Sequence, residues 1–438
     1  MINILNKEQC CGCKACIQVC PKHCINFEYD NTGFGYPKVV NKQGCINCGL
    51  CERACPVLHV EDYSLPQDTL TYAAYHSREH DRLDSSSGGV FCALAEYVIN
   101  KKGVVFGAAF DDQFNVRHCS AETVADLEKI KRSKYVQSDI GQCYQEAKSF
   151  LQDGRLVLFS GVPCQIAGLK RFLRKDFPNL ILLDVVCHGV ASPKVWRRYL
   201  EETKERLALE NGLKSKDYIA IKNISFRDKR NSWRNFNISI SYEINPSGTN
   251  EGKRARCFSK CIWEDDYMLS FLKNYSLRSS CFRCRFRNGK SRSDITLADF
   301  WGIENCVKDY NYCGEKGTSL VMIHNRRLTS IINKLPIAKV EVDFQNAIRG
   351  NSPVIKDVVP PLSRSLFFKY LNIGDLHFAL KKAERLQAIY GKYFCFLKRV
   401  INRLKAIKNH GKDRCSYIVK KCRQLWKCPS VFGNSGVS

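Results

Sequence analysis

The chain has 438 residues, of which 44% are hydrophobic and 25 are cysteine, and a formal charge of +26; that length leaves room for two or three domains around a sizeable core. No basic-then-apolar signal pattern opens residues 1–9, and apolar runs such as 180–186 are too short to cross a bilayer. A cytoplasmic protein is expected, with cysteines that serve metal rather than disulfides, and with a basic balance that favours acidic partners, anionic membrane or nucleic acid.

In chain order, the first element is a pair of cysteine runs. Cys10, Cys13, Cys16 and Cys20 precede Pro21, and Cys45, Cys48, Cys51 and Cys55 precede Pro56. Each run is C-x2-C-x2-C-x3-C-P, in which the fourth cysteine ligates the other cubane of a two-cluster ferredoxin. Cys10, Cys13, Cys16 and Cys55 are therefore expected to hold one [4Fe–4S] cluster. Cys20, Cys45, Cys48 and Cys51 are expected to hold the second. Zinc sites pair their four ligands differently. Cys11 and Cys24 are left over, and Cys10 rather than Cys11 fits the spacing to Cys13.

A polar link over 61–68 follows, and then strands alternate with helices. Strands are expected at 70–75, 103–110, 116–120, 156–160, 180–186 and 318–323, and alternation over 218–244 suggests more. Helices are expected over 90–100 and 140–151, from a loop at 161–165 on to 173, and from Pro193 to about 209, with Ser192 before it as N-cap. From residue 366 the chain reads as helical and basic. The expected organisation is α+β or α/β: a ferredoxin-type 2[4Fe–4S] domain over 1–60, a mixed α/β flavin-binding domain over 69–350, and a basic helical tail over 363–438.

Two places in the middle carry chemistry. Cys164 and Cys187 each follow a predicted buried strand, where ligands gather in open α/β sheets. Cys281 and Cys284 form a C-x2-C pair. Together they could hold a third [4Fe–4S] cluster, although a cysteine is often a small core residue; Cys92, Cys119 and Cys143 read that way. Ser85-Ser86-Ser87-Gly88-Gly89 opens a helix. Such a start offers backbone N–H groups and a helix dipole to an anion, with an ordinary N-cap as the plainer reading. No G-x-G-x-x-G, P-loop or H-E-x-x-H motif occurs.

The ordered set Ser86-Ser87-Gly88-Gly89, Gly161-Val162-Pro163-Cys164-Gln165, Cys187-His188-Gly189, Phe226-Arg227, Trp233, Cys281-x2-Cys284 and Asp294-Ile295 through Asp299-x-Trp301-Gly302 resembles the beta-subunit family of coenzyme F-420 hydrogenases and dehydrogenases. The resemblance runs from about residue 70 to 324. It implies FAD and a [4Fe–4S] cluster within this fold, with the four separated cysteines as ligands. It also implies Ser86, Ser87, Gly88, Gly89, Gly161, Gln165 and Asp299 as flavin-site residues. Bacterial relatives of this type resemble proteins encoded beside polysaccharide-assembly enzymes.

The reading is an iron–sulfur flavoprotein oxidoreductase, in which a flavin couples one-electron clusters to a hydride donor or acceptor. The alternative is a non-enzymatic electron-transfer subunit for a separate catalytic partner. His188 is the candidate proton donor, with a hydrogen bond to a cluster sulfur as its competing role. Asp299 either binds the cofactor or caps the turn before Trp301. The partners expected are a ferredoxin-like electron carrier or a reduced deazaflavin or flavin; nucleic acid is not favoured. In the tail, Ala379, Ala383, Leu386, Tyr390, Tyr393, Leu397, Val400, Leu404 and Ile407 form a heptad stripe among basic residues. It suits an acidic partner or the anionic inner face of the membrane, and packing on the catalytic domain is the competing role.

Overall fold

The computed structural model describes residue 2 and residues 7–408 apart from 61, 62, 64, 67, 231 and 246–253; for 393–395, 397–399 and 401–408 only the backbone is described. Met1–Leu272 and Ser276–Val358 form one compact unit, and Lys273–Tyr275 with Val359–Ser438 form another. The ferredoxin segment and the α/β segment thus share a unit.

The cysteine runs fold as a repeat. Helix α1 (Ala15–Gln18) and helix α2 (Leu50–Arg53) flank a hairpin of β1 (Ile25–Tyr29) and β2 (Gly35–Val39). Both helices are preceded by a left-handed residue, Lys14 at φ 60° and Gly49 at φ 68°. The same turn in both halves aims the three close cysteines of each run inward. At Lys14 this conformation is carried by a residue with a Cβ, which disfavours it.

The α/β segment is built on an eight-stranded mixed sheet. Its strands are β3 (Leu70–His76), β4 (Val104–Phe110), β5 (Val116–Ala121), β6 (Val157–Gly161), β7 (Leu180–Val185), β11 (Ile295–Asp299), β12 (Ser319–Ile323) and β13 (Ile337–Glu341), in the order β13-β3-β12-β11-β7-β6-β4-β5. The neighbours β11, β7, β6 and β4 run parallel, and the outer pairs are antiparallel. A separate antiparallel sheet joins β8 (Ile219–Asp228), β9 (Asn237–Ile244) and β10 (Arg254–Cys261) in the order β10-β9-β8. β10, β13 and the helix Glu79–Asp84 were not expected from the sequence, and the helix expected from residue 140 begins at Cys143. β13 is half-exposed at the sheet edge, so its apolar pattern is weak.

Strand alternation divides the core between two faces. Val104, Phe106, Val157, Phe159, Leu180 and Leu182 face one core, which also holds Cys13, Cys16, Cys51 and Cys55. Val105, Leu158, Ile181 and Leu183 face the other, under the helix Val90–Asn100. The parallel strands are covered on both sides, as such strands require. The helices Cys143–Gln152 and Pro163–Leu173 lie between sheet and ferredoxin segment. The second unit contains the helices Arg364–Leu371 and Leu376–Lys408. Phe367, Phe368, Leu371, Leu376, Ala379, Leu380 and Ala383 are buried, and Ser363 Oγ donates to the Ala383 carbonyl at 2.8 Å. The first two positions of the heptad stripe are therefore buried. Ile389, Tyr390 and Phe396 are exposed. The side chains of Tyr393, Leu397, Leu404 and Ile407 lie outside the described residues. Among the described residues no helix is long and apolar enough to cross a membrane.

Candidate redox site

The twelve expected ligands fall into three cavities. Cys10, Cys13, Cys16 and Cys55 line one, beside Gly12, Lys14 and Phe27. Cys20, Cys45, Cys48 and Cys51 line a second. Cys164, Cys187, Cys281 and Cys284 line a third, of about 130 Å³. Parallel pairing explains the third: β6 and β7 are neighbours, and the chain leaves their carboxyl ends at Gly161 and Val185, within three residues of Cys164 and Cys187. The C-x2-C pair arrives on the 3-10 turn Ser279–Arg283. Among the described residues no group of three or more His, Cys, Asp or Glu side chains is gathered as ligands of one metal ion. The thiols ring cavities instead, a donor set that suits an iron–sulfur cluster.

Burial raises the pKa of the Cys281 thiol to about 11 and that of Cys187 higher still; repulsion from Cys284 adds to the first, and from Cys281 and Cys284 to the second. Cys10 is likewise raised to about 11 by burial, partly offset by Arg278. Four thiolates in such a cavity need a cationic core to hold them deprotonated, which an iron–sulfur cluster supplies.

Cys11 and Cys24, which the spacing leaves over, are not idle core residues. Cys24 lines the second cavity. Cys11 lines both the first and the third. Its interaction with Cys13 and Cys164 lowers its pKa and raises theirs. The first and third cavities therefore adjoin through one side chain. Helix Pro163–Leu173 keeps the register: Cys164 opens it, and Gly168 passes against Cys13. A Cβ at Gly168 would lie 3.0 Å from Cys13 Sγ and 2.8 Å from the Tyr144 hydroxyl. We expect Gly168→Ala to lose about four irons per chain, read by iron and acid-labile sulfide analysis, because overpacking by a methyl costs about 1–3 kcal/mol here and displaces a ligand.

Arg278 fastens the two halves of this arrangement and escaped sequence reading. It is buried, donating from Nε to the Cys10 carbonyl at 2.7 Å, from Nη2 to the Gly35 carbonyl at 2.8 Å and from Nη1 to Gln137 Oε1 at 3.0 Å. It also lies over Tyr36, 4.5 Å from the ring centroid. An isolated arginine three residues before Cys281 gives no sequence signal for contacts made 141 to 268 residues away.

The expected flavin-site residues separate into two groups. Asp299 ends β11 at the same sheet edge as Cys164 and Cys187. It does not cap the turn before Trp301: it forms an ion pair with buried Arg227 and accepts from Trp233 Nε1 at 3.1 Å. Burial alone would lower the Arg227 pKa; the Asp299 charge, the Tyr135 phenol and the hydrogen bonds to both together raise it instead. Arg227 Nη1 also donates to the Tyr135 hydroxyl at 3.3 Å, while Nε and Nη2 are buried without a partner. Tyr135 stacks on Phe271 at 4.9 Å, and Phe271 meets the His188 ring edge-on at 5.2 Å. An aromatic path thus joins the residue after Cys187 to Arg227 and Asp299.

The second group packs on the protein itself. Gly88 N–H donates to Ser319 Oγ at 3.0 Å, and a Cβ there would meet the Ala74 carbonyl at 2.4 Å. Ser87 Oγ donates to the Thr318 carbonyl at 3.0 Å, and Ser86 Oγ accepts from Ser133 N at 2.8 Å. Lys229 Nζ reaches the carbonyls of Ser87 at 2.5 Å, Arg82 at 2.6 Å and Lys316 at 2.8 Å. The helix start is held beside Lys229 and the basic loop 131–134. The expectation that both glycines offer free N–H groups is corrected at Gly88, which the neighbouring strand uses. Gln165 is a helix cap: its Oε1 accepts from Val162 N at 3.0 Å, and its Nε2 donates to Ser138 Oγ at 2.9 Å. Gly161 lies against it, where a Cβ would stand 3.1 Å from Gln165 Oε1.

Residues 154–345 match the family model for the C-terminal part of the coenzyme F-420 hydrogenase/dehydrogenase beta subunit. Residues 9–58 match that for a 4Fe-4S dicluster domain. No curated protein matches the chain. Among solved structures, a chain of the F-420-reducing [NiFe] hydrogenase complex from Methanosarcina barkeri is similar at 14% identity and a TM-score of 0.41, over 75% of this chain and 95% of that one.

Proposed function

Because residues 154–345 belong to the coenzyme F-420 hydrogenase/dehydrogenase beta-subunit family and follow a 4Fe-4S dicluster domain, we propose that the chain is an iron–sulfur flavoprotein oxidoreductase. In this reading it carries three [4Fe–4S] clusters and FAD. The observation that carries it is Cys11, which lines both the first and the third cysteine cavity, so that the two adjoin. Electrons then have a path from the ferredoxin segment to the carboxyl ends of β6, β7 and β11.

A flavin bound beside Arg227 would exchange electrons in pairs with a hydride donor or acceptor and singly with the clusters. The unpartnered Nε and Nη2 of Arg227 fit such a group, since buried donors without acceptors are costly and rare. Asp299 and Tyr135 hold that guanidinium in place, and Trp233, stacked on Trp301 at 5.0 Å, shields the pair from water. The imidazole of His188 can hold a proton beside Phe271. Ser86, Ser87 and Gly89, next to the loop 131–134, suit a cofactor phosphate.

Anaerobic purification followed by acid release is expected to yield about one FAD per chain, read by fluorescence. A colourless extract overturns the flavin assignment. Membership in a beta-subunit family favours partner proteins, which keeps the electron-transfer subunit as the second reading; turnover of a deazaflavin or flavin by the purified chain alone excludes it. A role in polysaccharide biosynthesis, and a peripheral place at the inner membrane face through the basic tail, extend the proposal on sequence resemblance and charge.

A further inference from the structure

A cleft of about 690 Å³ opens beside the second cysteine cavity. Its charged lining is Arg53, Lys170, Arg171, Arg174, Lys175 and Arg327 against Asp176 and Asp294. Part of this charge has local work. Lys170 and Arg171 sit in the last turn of the helix Pro163–Leu173, where the dipole favours cations. Arg327 Nη2 donates to the Leu180 carbonyl at 2.5 Å. Asp176 is fully exposed and 3.7 Å from Lys170, and Asp294 lies 3.6 Å from Arg327. The excess of cations remains, on Arg53, Arg174 and Lys175 above all, each of them exposed.

The cleft is tied to the second cavity by two sets of bonds. Arg53 Nη2 donates to the carbonyl of Cys48, one of its expected ligands, at 2.7 Å. Arg171 donates from Nε and Nη2 to the Arg53 carbonyl at 3.2 and 3.0 Å. Cys20, Cys45 and Cys48 are only partly buried, unlike the other five ferredoxin ligands, and Ile46 between the last two is 58% exposed. An exposed apolar residue over a redox centre, with a cleft of net positive charge beside it, matches the needs of transient electron transfer: a small contact for orbital approach and a field for steering.

We propose that this cleft docks an acidic electron-carrier protein, which delivers single electrons to the cluster held by Cys20, Cys45, Cys48 and Cys51. The inference rests on the reading above for the cluster, and on the charge and exposure of the cleft for the partner. In the step, the reduced carrier loses one electron and the oxidised cluster gains it; no bond or proton changes hands. Opposite charge steers the encounter, so affinity and on-rate fall as salt screens it.

The test uses the full-length, cluster-loaded chain and a purified acidic bacterial flavodoxin in its oxidised state. Affinity is measured by calorimetry at low and high salt, for wild type and for Arg174→Glu/Lys175→Glu. We expect wild type to bind at least about tenfold more tightly at low salt, and the charge-reversed variant to lose that gain, with the same iron content in both. Binding that is insensitive to salt, or equal in wild type and variant, overturns the proposal. So does competition by millimolar inorganic phosphate as effective as that of added salt at several-fold higher ionic strength, which would assign the cleft to a small anion. Iron content well below that of two clusters in wild type would instead fault the cluster assignment and leave the docking result to be judged on salt dependence alone.

Discussion

The double substitution Cys187→Ala/Cys281→Ala is expected to lower iron from about twelve to about eight per chain, since each [4Fe–4S] core carries four. The ferredoxin clusters should survive, because their ligands line separate cavities. Two ligands are removed together because Cys11 lies in the same cavity and can replace a single lost thiolate. Cys11→Ala alone should therefore keep about twelve irons if Cys164 is the fourth ligand. A loss of four irons from Cys11→Ala, with none from Cys164→Ala, would exchange their roles. About eight irons in wild type would remove the third cluster altogether.

Asp299→Ala is expected to destabilise the protein by about 3–5 kcal/mol, the cost of leaving a buried partner charge unpaired. Arg227 has a side-chain exposure of 4% and Asp299 of 16%, and no other carboxylate pairs with Arg227 among the described ion pairs. The ring of Phe236, 4.2 Å from the guanidinium, attracts a cation but cannot neutralise it. The double variant Asp299→Ala/Arg227→Met should recover much of the loss, because it removes the stranded charge as well. Chemical denaturation of the reconstituted variants, compared by the midpoint of secondary-structure loss, reads both effects. Equal stability of Asp299→Ala and wild type would mean that the pair is solvated in solution. If flavin is then absent from the double variant while iron is unchanged, the guanidinium serves the cofactor as well as the fold.

The Asp184 carboxyl also sets a pH dependence. Asp184, in the last turn of pleat of β7, is a buried carboxyl raised to about 6 by desolvation, against which hydrogen bonds from Ser291 and Thr296 at 2.5 Å work. A raised carboxyl favours the folded state most at low pH. Its contribution is present below the ordinary carboxylate range and is lost as pH rises through about 6.

Local spacing determined the eight ferredoxin cysteines, because three thiolates on one short turn must be close in sequence to share a cubane. Apolar runs likewise marked β6 and β7, and the strand ends placed Cys164 and Cys187. What spacing could not carry was anything that depends on which strands are neighbours. Cys281 and Cys284 reach the third cavity only because the chain returns beside β7. Cys11 became a link between two cavities because the helix Pro163–Leu173 lies against α1, with Gly168 small enough to admit Cys13. Arg278, Tyr135 and Lys229 gave no sequence signal, since a lone arginine, tyrosine or lysine is ordinary until burial leaves it needing partners. The same holds for Gly88: a serine–glycine helix start looks like an anion site in one dimension, and only the adjacent β12 takes its N–H. Short-range geometry is written in the order of residues, whereas burial and strand order decide which polar groups must find each other.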